Sequence, residues 1–527
     1  MPKVLIADGI ADEGLKILTT SNMQVDVRKK TTAEELASLI ADYEGLVVRS
    51  ASKVTKEVIA KAAKLKIIGR AGIGVDNVDV SAATKKGIVV MNTPGGNSVT
   101  TAEHTLAMIM AMARRIPQAT ASLKAGKWEK SKFEGVELYN KTLGVIGFGN
   151  IGGILADRAL GLKMHVIVFD PFISEEKAMN LGVKKGSLDE LYATADIITV
   201  HTPKTKETAG MLNKTAFDKM KKGVMVVNCA RGGIISEADL LDALQSGKVA
   251  SAALDVYETE PPVDNPLLKL DNVVVTPHLG ASTHEAQVNV SVDIAKQFVD
   301  YFTRGTIKNA VNYPSISVEM YPFLEPYIRL VEKLGRFMGQ LYKGDHIEEI
   351  TIEYGGEITE LNTQPVTLAG LKGFLQHMYG EDVNYINASI IAKENGINVV
   401  ETKTGQLVDF TNLITIRSRS GTTARRVSGA VFGRKHIRLT MIDNFYIEAI
   451  PEGNILVLRN IDKPGVIGRL GTYLGKHNIN IARMELGRES AGSEAIALLN
   501  IDDEPSDEVM QGLRGLENII SAEKVAL

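Results

Sequence analysis

The sequence predicts a multidomain α/β protein built largely on parallel β-sheets. Apolar, strand-like runs alternate with helical segments from the N-terminus to about residue 305, the pattern of parallel sheets covered by helices. A glycine-rich turn near residue 147 joins one strand to one helix, and the pattern changes after residue 305. At 527 residues the chain is long enough for about three to four domains, each with its own core.

Bulk properties exclude several classes of protein. The formal net charge is −3 and the pI is near 6.4, so no basic footprint for nucleic acid covers the molecule. No run of about 18 apolar residues is present, and no signal-peptide pattern opens the chain. The single cysteine, Cys229, excludes an intramolecular disulfide, and His and Cys are too scattered for a metal site. We therefore expect a cytoplasmic protein without metal, membrane or nucleic-acid partners.

The first 97 residues carry an α/β pattern of their own. Strands are predicted at 4–7, 24–27, 46–49, 66–68 and 88–91, with helices at 32–41, 55–63 and 80–85. A long apolar-periodic helix at 98–115 follows, with Asn97 or Ser98 as its N-cap. This helix is predicted to bridge two domains.

A dinucleotide site is predicted at residues 142–152. A strand at 143–146 runs into a G-x-G-x-x-G turn, and a helix is predicted at 151–160. Gly147 permits the tight turn, Gly149 lets the backbone approach a pyrophosphate, and Gly152 lets the helix pack closely on its strand. The next strand, 165–170, ends in Asp170, at the distance expected for a ribose 2′-hydroxyl. That carboxylate would repel a 2′-phosphate, so we expect NAD rather than NADP.

Four further strand ends carry polar side chains. Strands are predicted at 196–201, 224–229, 250–256 and 273–276, and a helix at 238–245 is capped from Ser236. Ligands of open parallel sheets lie outside the carboxyl ends of the strands. The residues predicted to converge there are Thr202, Arg231, Asp255 and His278.

These residue types suit hydride transfer from a secondary alcohol. His278 is the candidate base because imidazole titrates near neutral pH, and Glu260 is positioned to accept the other ring N–H. Arg231 offers a planar fork that grips a carboxylate. His104 and His201 are interpreted as packing residues. Cys229 is interpreted as a small buried residue rather than a nucleophile, because no base is implied beside it.

Four motifs in order resemble the D-isomer-specific 2-hydroxyacid dehydrogenases. They are Gly-Phe-Gly-Asn-Ile-Gly at 147–152, Asn-Cys-Ala-Arg-Gly-Gly-Ile at 228–234, Ala-Leu-Asp-Val at 253–256 with Glu-Pro-Pro at 260–262, and Thr-Pro-His-Leu-Gly-Ala-Ser-Thr at 276–283. The resemblance implies a catalytic set of Arg231, Glu260 and His278. It also implies cofactor contacts from Gly147, Gly149, Asn150, Ile151, Gly152, Asp170, Thr202, Cys229, Asp255 and Gly280.

The substrate loops resemble those of the branch of this family that acts on 3-phosphoglycerate. The similar segments are 47–50, 69–77 and 92–97. They imply substrate contacts from Arg49, Gly72, Gly74, Asn97 and Arg231, with Arg49 meeting a phosphate while Arg231 holds the carboxylate. A salt bridge to a neighbouring carboxylate is the alternative interpretation of Arg49. Ile73 stands where threonine is often found, so no hydroxyl role is assigned to it.

The last 75 residues read β-α-β-β-α-β, with strands at 455–460, 480–484, 495–501 and 519–525 and helices at 466–474 and 508–515. This resembles an ACT domain, the ligand-sensing module of amino-acid metabolism. The resemblance implies that L-serine binds between paired copies, with Asn460 and Asp462 from one chain and Asn480 from the next. A ferredoxin-like oligomerisation module without a ligand is the alternative.

Residues 306–452 look like the intervening domain found in longer members of this branch. A strand-rich stretch at 415–450 holds a crowded set of basic residues, namely Arg417, Arg419, Arg425, Arg426, Arg434, Lys435 and Arg438. A solvated basic face and an anion-binding effector site are equally compatible with this set.

The complete prediction is a Rossmann-type NAD domain (98–282) inserted in a flavodoxin-like split substrate domain (1–97 and 283–305, with a returning helix at 282–304). An α+β intervening domain (306–452) and a ferredoxin-like ACT domain (453–527) follow. The resemblance implies NAD-dependent oxidation of D-3-phosphoglycerate to 3-phosphohydroxypyruvate, the first step of phosphorylated serine biosynthesis, by a serine-regulated homotetramer. The alternatives are a glyoxylate or hydroxypyruvate reductase, and an NADH-sensing corepressor without catalysis.

Overall fold

Four β-sheets with their helices make up the described part of the computed structural model, which comprises residues 1–314, 316, 320–342, 346–405, 410–433 and 435–527. Two of the sheets are parallel throughout and follow the βα alternation that the sequence predicts. The other two are dominated by antiparallel pairs. The predicted α/β class is confirmed.

The first sheet is flavodoxin-like, with the strand order β2-β1-β3-β4-β5. Its strands are β1 (Lys3–Ile6), β2 (Gln24–Val27), β3 (Gly45–Val48), β4 (Ile67–Arg70) and β5 (Val89–Met91). The helices between them are α1 (Asp12–Thr20), α2 (Ala33–Leu39), α3 (Lys56–Lys61) and α4 (Val80–Lys85). Thr32 opens α2 with a capping box, in which its hydroxyl and Glu35 satisfy each other's backbone N–H groups.

The second sheet has seven parallel strands in the Rossmann order, β12-β11-β10-β9-β6-β7-β8. Its strands are β6 (Thr142–Ile146), β7 (His165–Phe169), β8 (Lys184–Lys185), β9 (Ile197–Val200), β10 (Val224–Asn228), β11 (Val249–Leu254) and β12 (Val273–Val275). Its helices are α5 (Ser98–Ala113), α6 (Ile116–Lys124), α7 (Asn150–Gly161), α8 (Glu175–Asn180), α9 (Leu188–Thr194), α10 (Lys214–Lys219) and α11 (Glu237–Gln245). The switch of strand order between β6 and β9 opens the crevice where a dinucleotide binds such sheets.

The helix α12 (His284–Arg304) carries the chain back to the first sheet. Its Ile294 and Phe298 are fully buried, and they pack over Gly69 of β4 and Gly45 of β3. A Cβ added to Gly14 of α1 would lie 2.5 Å from the carbonyl oxygen of Ser291, so the two helices touch backbone to backbone. The substrate domain is therefore closed by a helix that follows the nucleotide domain in sequence.

The third sheet belongs to the intervening segment and has the order β14-β13-β15-β16-β17-β18. Its strands are β13 (Glu349–Gly356), β14 (Asn398–Thr404), β15 (Asn412–Ser420), β16 (Thr423–Phe432), β17 (His436–Ile442) and β18 (Phe445–Ala449), with helices α13 (Tyr321–Leu341), α14 (Gln364–Tyr379) and α15 (Ala388–Glu394). A Cβ on Gly335 of α13 would lie 2.2 Å from the Gly370 oxygen of α14. Glycines thus allow these two long helices to pack closely.

The fourth sheet is ferredoxin-like, with the order β20-β21-β19-β22. It comprises β19 (Asn454–Ile461), β20 (Ile481–Arg488), β21 (Glu494–Ile501) and β22 (Ile519–Ala526), covered on one face by α16 (Val466–Lys476) and α17 (Asp507–Arg514). The other face contributes Val457, Ile496, Leu498 and Val525 to the core of the intervening domain. The two C-terminal domains therefore share one continuous apolar core.

The intervening domain touches the substrate domain at the turn before β5. The side-chain amide of Asn384 donates to the Gly87 oxygen at 3.0 Å, and Lys85 pairs with Glu394. Asn312, in the linking segment, donates to the Ile88 oxygen at 2.9 Å. These contacts join the C-terminal half of the chain to the sheet that carries the substrate loops.

Two of the helices that were not individually predicted, α1 and α6, have a physical explanation. The first, α1, contains Gly14, which weakens a helical pattern in the sequence but is required by the close approach of α12. The second, α6, starts after Arg115, whose φ of +53° turns the chain sharply. Asn97 is the N-cap of α5 as predicted, although its side chain makes no capping hydrogen bond.

Two kinds of feature are absent from the described residues. No helix there combines the length and apolar character needed to cross a membrane. No group of three or more His, Cys, Asp or Glu side chains in the same residues has the geometry of a metal site.

Replacement of Gly14 by alanine is expected to destabilise the protein, although alanine favours helix by up to about 1 kcal/mol. The added methyl group would meet the backbone of Ser291, and such overpacking costs about 1–3 kcal/mol. Gly153 is the matched control, because it is also helical and a Cβ there meets no atom within 4 Å. A urea unfolding midpoint that falls for Gly14→Ala but not for Gly153→Ala is expected; equal midpoints would contradict the close packing of α1 and α12.

Candidate active site

The loop that follows β12 presents His278, and its side chain pairs with Glu260. Nδ1 of His278 lies 2.8 Å from Oε2 of Glu260, and the other carboxylate oxygen accepts the backbone N–H of Tyr257 at 3.1 Å. Since a carboxylate only accepts, Nδ1–H is the donor and Nε2 keeps its lone pair. The histidine side chain is 51% exposed. The pair therefore has the geometry of a general base held in one tautomer.

Asp255 anchors the backbone of the His278 loop. Its carbonyl oxygen accepts the N–H of His278 at 2.9 Å, and its carboxylate accepts the N–H groups of Leu279 at 2.7 Å and Gly280 at 2.8 Å. The carboxylate is 1% exposed. Burial alone would raise the pKa of Asp255, but hydrogen bonds from His104, Thr276 and Leu279 hold that pKa below its usual value.

His104 and His201 were both interpreted as packing residues, but their surroundings differ. For His104 that interpretation was wrong, because its Nε2 lies 3.2 Å from Oδ1 of Asp255. His201 is partly buried, with its Nδ1 atom out of reach of solvent, and burial lowers its pKa to about 4. It contacts the Thr199 hydroxyl at 3.0 Å and stays neutral inside the nucleotide domain. The period of α5 indicated only that His104 lies on a buried face, which cannot reveal a partner some 150 positions away.

Three guanidinium groups gather where β3 and β4 face the loop after β10. Arg231 donates from Nε to Asp76 at 2.9 Å, and the backbone of Arg49 is held by Asp8 at 2.7 Å. No carboxylate within 4 Å of the Arg49 guanidinium is found among the described residues, so the alternative of a salt bridge there is not supported. Arg70 is the third group, and its role was missed in the sequence.

Arg70 is a buried cation with spare hydrogen-bonding capacity. Burial and then the nearby Arg231 and Arg49 lower its pKa to about 10. In the part of the chain that the structure describes, Nη1 donates to the Ala71 oxygen at 3.2 Å and the buried Nε has no partner. The sequence offered one indication that Arg70 belongs to the site. Arg70 ends β4, beside the end of β3 that leads to Arg49.

The glycines of the 69–77 segment make room for these arginines. A Cβ on Gly72 would lie 1.4 Å from Nη1 of Arg70, and one on Gly74 would lie 1.7 Å from Nη2 of Arg231. Gly72 also has a φ of +143°. Substrate contacts from Gly72, Gly74 and Asn97 remain predictions; the Oδ1 of Asn97 is buried and has no partner among the described residues.

The glycine turn after β6 has the shape that a dinucleotide requires. Gly147 has a φ of +92°, and a Cβ on Gly152 would lie 2.2 Å from the Gly147 oxygen. A Cβ on Gly149 would meet no atom within 4 Å, so this edge is open. The Thr202 hydroxyl at the tip of β9 is buried and has no partner in the described residues, which fits a polar group of a bound cofactor.

Asp170 and Cys229 flank the same crevice. The carboxylate of Asp170 accepts the N–H groups of Phe148 at 2.7 Å and Phe172 at 2.8 Å, so it fixes the glycine turn. Cys229 is buried, and burial raises the pKa of its thiol to about 12. Asn150, Ile151 and Gly280 lie at the N-terminus of α7 and in the His278 loop. Their cofactor contacts, like those of Asp170, Cys229 and Asp255, remain predictions.

The three residues predicted to bind L-serine do not meet within one chain. Asn460 and Asp462 lie at the end of β19 next to the end of β20, whereas Asn480 precedes the start of β20. Asp462 is paired with Arg488 at 2.7 Å, and this cation lowers its pKa. Asn480 donates to Asp502 at 2.7 Å. A serine bound by all three requires the ACT domain of a second chain.

Most of the basic cluster is paired within its own sheet. Arg417 pairs with Glu353, Arg419 with Glu348, and Arg425 with Asp443, all on neighbouring strands or turns. Arg426 donates to the Asp443 carbonyl, and Arg438 to that of Ile437. Arg434 lies outside the described residues. These pairs favour a structural role for the cluster over a free anion site.

Comparisons with known proteins follow the same division of the chain. Family models match the D-isomer specific 2-hydroxyacid dehydrogenase NAD binding domain at residues 106–280, the D-3-phosphoglycerate dehydrogenase intervening domain at 323–443 and the ACT domain at 454–518. D-3-phosphoglycerate dehydrogenases of Archaeoglobus fulgidus and Bacillus subtilis are 46% and 41% identical, with 100% of each chain covered. The Aquifex aeolicus D-lactate dehydrogenase, solved with NAD and lactic acid, is 29% identical with a TM-score of 0.53; 59% of this chain and all of that one are covered.

The thiol of Cys229 is expected to resist alkylation in the native protein, because burial raises its pKa to about 12 and thiolate is the reactive form. Mass spectrometry after iodoacetamide treatment at pH 8 should show an unmodified native chain and one modification after unfolding in urea. Rapid modification of the folded protein would contradict the buried placement.

Proposed function

This chain belongs to the D-3-phosphoglycerate dehydrogenases, and from that membership we propose how its residues oxidise the C2 hydroxyl of D-3-phosphoglycerate to the ketone of 3-phosphohydroxypyruvate. The reaction is the first step of phosphorylated serine biosynthesis. The observation that carries the proposal is a His–Glu pair beside three guanidinium groups. NAD, when bound, accepts the hydride from C2.

His278 acts as the general base. Its Nε2 removes the hydroxyl proton while the hydride leaves C2, and Glu260 stabilises the imidazolium that forms. Arg231 holds the substrate carboxylate through its planar fork, for which it exchanges its contact with Asp76. Gly232, next to Arg231, packs against the Tyr257 carbonyl, so the arginine and the Glu260 loop move as one body.

Arg49 and Arg70 receive the phosphate. A phosphate carries close to two negative charges at neutral pH, and two guanidiniums at neighbouring strand ends match it in charge and hydrogen-bonding geometry. Burial, and then the neighbouring Arg231 and Arg49, lower the pKa of Arg70, and no carboxylate of the described residues pairs with its guanidinium. A glyoxylate or hydroxypyruvate reductase needs only the carboxylate-binding arginine, so the two additional cations favour the phosphorylated substrate.

Asp170 selects NAD by meeting the adenosine ribose with a carboxylate, which hydrogen-bonds hydroxyls and repels a 2′-phosphate. The polar donors of the turn after β6 and the unpaired Thr202 hydroxyl support the same assignment. A corepressor without catalysis needs the dinucleotide alone. The orientation of His278 by Glu260 favours the enzyme, because sensing NADH does not require a base.

The ACT domains pair between chains and bind L-serine at Asn460, Asp462 and Asn480. The separation of Asn480 from the other two within one chain supports a site shared by two chains. Binding that favours one arrangement of the oligomer would lower activity at a distance.

Assembly into a homotetramer is part of the proposal. From α6 to the start of β6, five large apolar side chains are each more than two-fifths accessible, namely Ile116, Leu123, Trp128, Val136 and Tyr139. Such a patch marks an interaction surface, and ACT pairing would supply a second one. We also propose a cytoplasmic location, where a lone unpaired thiol is expected.

His278→Gln is expected to lower kcat by roughly 10²–10⁴-fold while NADH binding changes little, because only the base is lost. Stopped-flow or steady-state formation of NADH would give kcat, and fluorescence titration would give the Kd for NADH. His284→Gln, in the same loop region but at the exposed start of α12, is the control. Normal turnover in His278→Gln would remove this histidine from the mechanism.

A panel of D-2-hydroxy acids tests the substrate. The protein should oxidise D-3-phosphoglycerate with a far higher kcat/KM than D-glycerate, which lacks the phosphate. Arg70→Gln should reduce kcat/KM for phosphoglycerate roughly 10- to 100-fold, the usual range for a lost charged hydrogen bond, and should leave D-glycerate nearly unchanged. Lys66→Gln, on the exposed start of the same strand, should change neither. Equal loss for both substrates would exclude a phosphate role for Arg70.

Serine at millimolar concentration is expected to inhibit, and Asn480→Ala should abolish inhibition while leaving kcat intact. Asp503→Ala, an exposed neighbour, should keep full inhibition. Substitution is preferred to deletion of 453–527 because deletion would uncover the core shared with the intervening domain. Indifference of the wild-type enzyme to serine, with no binding by calorimetry, would leave the ACT domain as an oligomerisation module.

A further inference from the structure

Outside the predicted catalytic set, the side chain of His104 reaches the centre of the active-site scaffold. It projects from α5, and its Nε2 lies 3.2 Å from Oδ1 of Asp255 and 3.3 Å from the Thr276 hydroxyl. The Thr276 hydroxyl itself donates to the same Oδ1 at 2.5 Å. The histidine side chain is 18% exposed, so this contact is sheltered from water.

Asp255 transmits that contact to the catalytic loop. As described above, the residue binds three successive N–H groups, those of His278, Leu279 and Gly280. His278 also has a φ of +57°, a left-handed conformation that non-glycine residues adopt infrequently. The loop therefore depends on a carboxylate that stays ionised and correctly oriented.

A buried carboxylate requires donors, and those of Asp255 come from two directions. Its own loop supplies the backbone groups and Thr276, while α5 supplies His104. Among the described residues no lysine or arginine nitrogen lies within 4 Å of this carboxylate, so His104 is its one partner able to carry positive charge. Loss of that donor leaves Oδ1 free to turn with the loop instead of holding the loop to α5.

We propose that His104 is a positioning residue for hydride transfer, which through Asp255 and Thr276 fixes the backbone that presents His278. The inference rests on the proposed function, since it assigns His104 to the geometry of that base. His104 touches neither substrate nor the reacting atoms in this account. Its role is to hold the His278 loop against α5, the helix that joins the two catalytic domains.

Three variants separate positioning from packing. His104→Phe keeps the bulk and removes the donor, and it is expected to lower kcat roughly 10- to 100-fold, the scale expected of a displacement near 1 Å at a reacting group. The KM for NAD and the unfolding midpoint should change little. His104→Gln places an amide N–H near the position of Nε2 and should recover most of the activity. Unchanged kcat in His104→Phe, or no recovery in His104→Gln, would overturn the proposal.

A double-mutant cycle tests the route through Asp255. Thr276→Val removes the second donor to the same oxygen, so its effect on kcat should be non-additive with that of His104→Phe. Additive effects would show that His104 acts by another route and would overturn the proposal. His165→Phe, an exposed histidine on β7, is the control and should be additive with Thr276→Val.

Hydrogen exchange distinguishes a failure of this inference from a failure of the proposed function. In His104→Phe the amides of Leu279 and Gly280 should exchange faster than in the wild type, whether or not phosphoglycerate is the substrate. Unchanged protection of the peptide spanning 276–283 would refute the role of His104. Faster exchange in a protein that fails to oxidise phosphoglycerate would refute only the proposed substrate.

Discussion

The buried carboxylate of Asp255 is the interaction on which the catalytic geometry depends. It lies at the carboxyl end of β11 and collects donors from its own loop and from α5. Because these donors outweigh the cost of burial, the carboxylate stays ionised and the His278 loop keeps a fixed shape. The loop after β11, which carries Tyr257 and Glu260, packs against the turn that carries Arg231. Base and carboxylate-binding cation are thus set by one scaffold.

The substrate loops differ in their electrostatics, because they bring positively charged side chains together in the absence of an anionic ligand. Arg49, Arg70 and Arg231 repel one another, and Asp76 is the carboxylate that pairs with Arg231. The rigid sheet ends and the glycines that clear space for Arg70 and Arg231 hold the guanidiniums in place. In the proposed function, substrate charge would relieve this repulsion on binding, so the site would favour a trianion over a monoanion of similar size.

Most of the architecture was predictable because it rests on local patterns. The G-x-G-x-x-G turn, the βα alternation and the β-α-β-β-α-β order each depend on residues close in sequence, and each appears with shifts of only a few residues at the ends. The pairing of His278 with Glu260 was anticipated from the residue types that follow two neighbouring strands and from the family resemblance. What sequence could not provide was contact between distant segments. His104 contacts Asp255, which lies some 150 positions away in the sequence. Arg70 becomes a candidate site residue only because the fold places it near Arg231. Gly14 is accommodated in α1 because α12 lies against it.

The core shared by the intervening and ACT sheets has a mechanical consequence. A sensor on a flexible tether could move without disturbing the enzyme, but here Val457, Ile496 and Leu498 are embedded in the neighbouring domain. The two C-terminal domains are therefore expected to move as one unit. The intervening domain contacts the substrate sheet at the turn that holds Gly87. A displacement of the ACT domain would reach the edge of the substrate sheet through the contacts at Lys85, Gly87 and Ile88, because no flexible tether among the described residues is available to absorb it.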